Sequence, residues 1–311
     1  MSAAPPRDRS EHRSLGIAAV TITTLIWGVV PLAVRQIEMP TLAFASYRLW
    51  MGVLVYALVF AVTKRRPSWR ALKLCALGGV FFGADVFLSF TSFRLTSIAN
   101  ATIIGALAPV FITLGAARWF GERVHRRDFL FVALSFAGVV AVAVGSAGSP
   151  SWSPLGDFAA LVGVFSWTAY WLYSKHARRS VGALEYMAHV MFVAAIMITA
   201  LGFVSGTDMA PPRGMDWVWV WVVTIFAGAV GHSFIAWSHH HVEAWLAALI
   251  TQCQPVVASV AAWVILGETL TPLALTGAAV VLFATAAILV RGALRSPSET
   301  SDPTEIPAPG G

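Results

Sequence analysis

The sequence predicts an all-α integral membrane fold, with ten transmembrane helices in two inverted five-helix repeats around a central cavity and both chain ends in the cytoplasm. Three observations predict it. Apolar residues make up 58% of the chain and charged residues 12%, against about 45–50% and about 25% in soluble domains, and the mean hydropathy is +0.74. The stretch IANATIIGALAPVFITLGAARWFGER at 98–123 returns without gaps at 244–269 as AWLAALITQCQPVVASVAAWVILGET. The two copies are identical at Ala101/Ala247, Ile104/Ile250, Pro109/Pro255, Val110/Val256, Ala116/Ala262, Gly121/Gly267 and Glu122/Glu268. The third observation is the placement of the 21 Lys and Arg residues, which fall overwhelmingly on one side of the apolar segments.

Taken in order, residues 1–14 form a polar N-terminal tail with Arg7, Arg9 and Arg13, and an uncharged run follows. Its length suits a retained span better than a cleaved secretory signal, whose apolar core is shorter. Runs near 15–34, 41–62, 74–93, 98–117 and 128–146 give five spans within a first repeat at 15–146. Residues 147–155 read as a periplasmic linker, and runs near 156–174, 184–204, 217–238, 244–266 and 273–290 give five more within a second repeat at 156–291. In lipid each backbone polar group must be bonded internally, so runs this long and apolar form helices. Residues 292–311, which lack aromatics, read as a disordered cytoplasmic tail.

If the N-terminus is cytoplasmic, only Arg35, Arg94 and Arg213 face outward and only Arg48 lies inside a span. That asymmetry predicts N-in and C-in. A repeat with an odd number of spans then inserts its second copy upside down. Trp27 and Trp167 extend the duplication at an offset of 140, with Arg35 and Lys175 closing their segments at the same offset.

Local chemistry marks several segment ends. Asp128 is placed to cap the fifth span, and Thr271 with Pro272 reads as cap and first turn of the tenth. Trp69, Trp119, Trp217, Trp219 and Trp221 read as interfacial anchors, and Tyr170, Trp171 and Tyr173 as part of the same belt. Cys75 and Cys253 read as small apolar fillers. The net charge of +6 reflects retention at an anionic inner leaflet and does not call for a nucleic-acid partner.

Ionisable residues inside the spans carry the functional signal, because a charge at such depth costs a few kcal/mol and normally faces a cavity or a partner. Arg48 and Asp85 lie on the second and third spans, roughly 10–12 Å deep at about 1.5 Å per residue, and are expected to pair. His189 and His232, on the seventh and eighth spans, are expected to form a pseudo-symmetric second pair. Asp85 suits a proton or a substrate amine, Arg48 a substrate carboxylate, and the histidines titrate near neutral pH; a structural ion pair is the alternative.

A wider cavity is expected from Ser89 and Ser92 on the face of Asp85, Thr251, Gln252, Gln254 and Ser259 on the ninth span, and Asn100 and Thr113 on the fourth. Trp27 and Trp167 near the midplane are expected to close over substrate or to pack between repeats. Pro109 and Pro255 each remove a backbone donor in mid-span and read as hinges or fixed kinks. Glu122 and Glu268 read as helix caps. His239, His240 and His241 offer no metal-ligand spacing and read as headgroup contacts, and no metal or other cofactor is expected.

The ordered set of a Trp-Gly in the first span, an Arg in the second, and a fourth and a ninth span that each hold Pro and end in Gly-Glu resembles the drug/metabolite transporter superfamily. The resemblance is to its EamA-type ten-helix members and covers residues 15 to 291. It implies a secondary transporter of the bacterial cytoplasmic membrane, working by alternating access, and export of amino acids or amine-like metabolites with protons as a coupling ion to be tested. Independently, inverted repeats offer two near-equivalent packings with a site between them. A channel or facilitative uniporter is the runner-up. A membrane enzyme ranks last, because the spans hold no nucleophile-base set, metal cluster or phosphate loop. The expected partners are a small solute and lipid, and the expected oligomeric state is monomer or dimer.

Overall fold

The computed structural model describes residues 6–34, 37–96, 98–122, 125–147, 153–266 and 270–294. Among these, ten helical stretches are long and apolar enough to cross a membrane. The first three spans are single helices, α1 (Pro6–Val34), α2 (Thr41–Val62) and α3 (Trp69–Leu95). The fourth is broken into α4 (Ile98–Gly105) and α5 (Ala108–Phe120). The fifth to seventh are α6 (Arg126–Ala147), α7 (Pro154–Ala177) and α8 (Ala183–Val204). The eighth joins α9 (Asp216–Val222) to α10 (His232–Ser238) through a π-helical segment, Val223–Gly231. The ninth is broken into α11 (Ala244–Thr251) and α12 (Gln254–Leu266), and the tenth is α13 (Pro272–Leu294).

Several ends differ from the sequence reading. α1 starts within the stretch read as a tail, and α13 runs to Leu294, whereas residues 295–311 lie outside the described part. Of the expected linker, Ala147 closes α6 and Pro154 opens α7, with 148–152 outside the described part. Ser153 caps α7 by accepting from the Gly156 N–H at 3.4 Å. Thr271 caps α13 as expected, accepting from the Ala274 N–H at 3.1 Å. Asp128 does not precede its helix. It sits in the first turn of α6 and reaches back to accept the His125 N–H at 3.0 Å, so that a first-turn carboxylate satisfies a donor at the helix start.

Packing follows the duplication. The second span packs on its counterpart the seventh, α2 on α8, and the fifth packs on its counterpart the tenth, α6 on α13. Such self-paired contacts are what a twofold relation between halves produces. The α6–α13 contact is the closest approach of the two: a Cβ on Gly138 would lie 2.8 Å from the Gly277 carbonyl oxygen, and one on Gly277 would lie 2.6 Å from the Gly138 carbonyl oxygen. Lipid tails give no hydrophobic drive to pair helices, and small residues make up for it by letting backbones meet. The perimeter carries exposed apolar side chains such as Leu130, Phe158, Phe203 and Val264.

Of four buried apolar clusters among the described residues, the two largest fill most of the interior. One joins Leu49, Tyr56, Phe82, Tyr170, Tyr186 and Met191, and the other joins Ile112, Trp171, Ile235, Leu246 and Leu249. Tyr170 and Trp171 therefore belong to the core and not to the interfacial belt, because the C-terminal part of α7 turns them inward, whereas Leu155, Phe158 and Phe165 of the same helix are exposed: both are wholly buried, and the Trp171 Nε1–H donates to the Ala244 carbonyl at 3.2 Å. Trp69 and Trp119 are exposed at the perimeter.

Candidate functional site

The site begins with the two broken spans. Pro109 and Pro255 stand at the second position of α5 and α12, and the breaks fall just before them, at Ala106–Leu107 and Gln252–Cys253. A proline within a helix deprives the carbonyl four residues earlier of its donor and clashes with it. At the start of a helix that donor is unneeded, so the chain stops and restarts there. In place of the kink or hinge expected within a continuous helix, each proline opens the second half of a fully interrupted span. The break in the fourth span is spanned by Gln252, whose Nε2 donates to the Ala106 carbonyl at 3.0 Å.

Between the halves lies a cavity of about 740 Å³. Both breaks line it, and so do Arg48, Asp85, Ser89, Trp27, Trp167, His232, Gln252 and Gln254. It reaches Ile37, Met39 and Thr41 between α1 and α2, and Leu270 ahead of α13, which lie on the face opposite the chain ends. Rings close it toward the other face. Trp27 meets Trp167 edge-on at 5.7 Å between centroids, and His232 lies 4.7 Å from Trp27 and 4.8 Å from Phe82. The Trp27 Nε1–H is fixed by the Ala227 carbonyl of the π-helical segment at 3.0 Å. A second carbonyl of this segment, that of Ala229, accepts from the Tyr56 hydroxyl at 3.1 Å.

On the polar wall, the Ser89 hydroxyl donates to the Asp85 Oδ1 at 3.1 Å, as their spacing of four on α3 allows. Arg48 is buried, and its Nε has no hydrogen-bond partner. Arg48 and Asp85 attract each other electrostatically, but among the described residues no direct ion pair or hydrogen bond joins them. The expected contact pair is therefore a separated one, with both charges on the wall of the same cavity. Arg48 is also held from behind, where the Thr224 hydroxyl donates to its backbone carbonyl at 3.2 Å.

The histidines part company. His232 joins Arg48 and Asp85 at the cavity, and its Nδ1 is buried without a partner. His189 does not line the cavity: its Nδ1 contacts the Glu185 carbonyl one turn earlier on α8 at 2.7 Å. No histidine pair forms, because α8 turns that face into the core. Thr113 is buried on α5 away from the cavity, and the Asn100 side chain lies outside the described residues.

Sequence reasoning missed Phe82, Phe44 and Phe90, which line the cavity yet look like any other apolar residue. For Phe82 a signal existed, since it stands three residues before Asp85 on the same helical face.

The face of the chain ends is closed by polar contacts. Glu122 and Lys175 form an ion pair at 2.6 Å. The Glu122 Oε1 also accepts the Ala244 N–H at 3.1 Å, so Glu122 caps the first half of the ninth span and not its own neighbour; Glu268 lies outside the described residues. His239 is buried in the turn after α10, 3.0 Å from the Ser174 hydroxyl, which removes it from headgroup contact. Burial, and then the charges of Lys175, Arg178 and His240, hold the His239 imidazole well below its ordinary range and thus neutral. Among the described residues no group of three His, Cys, Asp or Glu is arranged to hold a metal ion.

Comparison with known proteins agrees with this architecture. The EamA-like transporter family model matches residues 14–144 and again 154–290. The chain is similar to the uncharacterized inner membrane transporter YedA of Escherichia coli, 25% identical over 266 residues that cover 84% of this chain and 86% of the relative. It is also similar to a probable amino-acid metabolite efflux pump of Salmonella typhimurium, 25% identical over 278 residues that cover 84% and 90%. A solved crystal structure with 22% identity superposes with a TM-score of 0.75 and covers 92% of this chain and 99% of its own.

Proposed function

Since the chain belongs to the EamA-like transporter family, we propose that it is a secondary transporter of the bacterial inner membrane that exports a small solute bearing an amine and a carboxylate. An amino acid or a close derivative fits this description. The observation that carries the reading is the separated pair of Arg48 and Asp85 on the wall of one cavity above the rings of Trp27, Trp167 and His232. A carboxylate satisfies the open donor of Arg48 and an amine satisfies Asp85, each restoring what burial in a membrane withholds. The aromatic floor offers apolar area to the rest of the solute and faces to its cation.

Alternating access supplies the cycle. The cavity reaches one face while rings and the Glu122–Lys175 pair shut the other, and an inverted repeat gives the same chain a mirrored packing open to the opposite side. With the chain ends in the cytoplasm, as the Lys and Arg asymmetry indicates, the described state is open to the periplasm. Asp85 is the natural carrier of a coupling proton, which binds when the amine has left. The relative named as an efflux pump supports the direction.

Reconstitution into liposomes with a screen of amino acids, amines and metabolites for pH-dependent uptake and counterflow tests this, with Asp85→Asn in parallel. Saturable flux that the variant loses supports the reading. Conductance without saturation would make the protein a channel, and no flux for any solute of this class would defeat the proposal.

A further inference from the structure

At the end of α5 the chain turns through Gly121, whose φ of 64 belongs to the left-handed region open to glycine. The turn delivers the next side chain, Glu122, out of the first repeat and onto the second. Its Oε1 accepts from the Ala244 N–H at 3.1 Å and meets the Lys175 Nζ at 2.6 Å. α11 has no side-chain cap of its own, so the cap comes from the other repeat. Lys175, in the last turn of α7, also donates to the Val242 carbonyl at 3.1 Å. One carboxylate and one ammonium thus tie together the end of α5, the end of α7 and the start of α11.

These groups sit below the aromatic floor and take no part in lining the cavity. Both side chains are shielded, with 15% of Lys175 and 9% of Glu122 exposed, and the Glu122 Oε2 has no hydrogen-bond partner. An ion pair in such a place is poorly chosen as permanent glue: its attraction roughly offsets the desolvation of both ions, so little is lost when both regain water together. Removing one partner alone is different, because the other is left charged and shielded. A contact that is nearly neutral to open and costly to mutate suits a closure that must be made and broken.

We propose that Glu122 is a positioning residue of the transport cycle, which holds the chain-end face shut by pinning α11 to α7 through Lys175 and the Ala244 N–H. This rests on the transport reading. α11 leads directly to the break at Gln252 and thence to the cavity, so freeing its start lets the first half of the ninth span swing away from α5 and α7. Closure of this face and the shape of the binding site are then linked through one short helix.

The test needs no substrate. A single reporter, Ala258→Cys on the cavity wall, is placed in a chain whose Cys75 and Cys253 are replaced by alanine, and a membrane-impermeant maleimide is applied to each face of sealed vesicles. With Glu122 and Lys175 intact the reporter reacts from the face opposite the chain ends. Glu122→Gln and Lys175→Gln are each expected to raise labelling from the chain-end face by about tenfold, and the double variant no further, since the two act as a unit. Lys175→Arg is expected to stay near the starting rate. Unchanged chain-end labelling in both glutamine variants, with labelling from the opposite face preserved, would overturn the proposal. Should both variants misfold, Glu122→Asp takes their place, with a smaller rise expected and no rise counting against the proposal. If labelling shifts as expected and no solute is carried, the latch stands and the transport reading alone falls.

Discussion

Gln252 and Ala106 are counterparts in the two repeats, 146 residues apart, and they are hydrogen-bonded to each other at 3.0 Å across the centre of the protein. The side chain of the second repeat thereby satisfies a carbonyl that the break in the first repeat has released. The same position carries an amide in one half and a methyl in the other, so the duplication is symmetric in backbone and asymmetric in chemistry.

Replacing Gln252 by leucine keeps the bulk and leaves the Ala106 carbonyl unpaired. The expected cost is about 1–3 kcal/mol, read as a lowered thermal midpoint in detergent and a slower flux. An unchanged midpoint would show that the carbonyl finds another donor.

Asp85→Asn is expected to express and fold, because the Ser89 hydroxyl still has an oxygen to bond, and to lose the dependence of flux on pH. Normal transport across the pH range would remove Asp85 from the mechanism.

Arg48→Lys keeps the charge but loses the planar donor fork, and Arg48→Ala loses both. For a solute bearing a carboxylate, the alanine variant is expected to weaken binding by about 2–5 kcal/mol, whereas the same solute with its carboxylate amidated is expected to bind both forms alike. Equal losses for both solutes would reduce Arg48 to a structural part.

Gly277→Leu places a branched side chain where even a Cβ would lie 2.6 Å from the Gly138 carbonyl oxygen. Two packed backbones cannot yield to a side chain as a flexible tip does, so α6 and α13 must separate. Loss of a monodisperse peak in size-exclusion chromatography is expected, and wild-type behaviour would mean the helices part without consequence.

His239 gives stability a pH dependence. Its folded form resists protonation because of burial and the neighbouring Lys175, Arg178 and His240, whereas the unfolded residue titrates near 6.5. Below about 6.5 the unfolded chain therefore binds more protons, and this contribution, present at neutral pH, is lost as the pH falls. A series of thermal midpoints from pH 8 to pH 5 is expected to decline, and less steeply in His239→Asn. Parallel declines would assign the effect to other groups.

The sequence alone determined the ten spans, the duplication and the identity of most polar residues at the cavity. Length and apolarity dictate helices in lipid, and a repeated pattern survives divergence because each half must bury the same faces. Asp85 and Ser89 were legible as neighbours for the same reason, since helical spacing is local. Only the tertiary structure decided that His232 faces the cavity while His189 bonds along its own helix, that Tyr170 and Trp171 are core, and that Glu122 caps a helix of the other repeat. Each of those outcomes depends on which helix lies against which, and packing between helices distant in sequence is set by the fit of whole surfaces, which no single residue's spacing records.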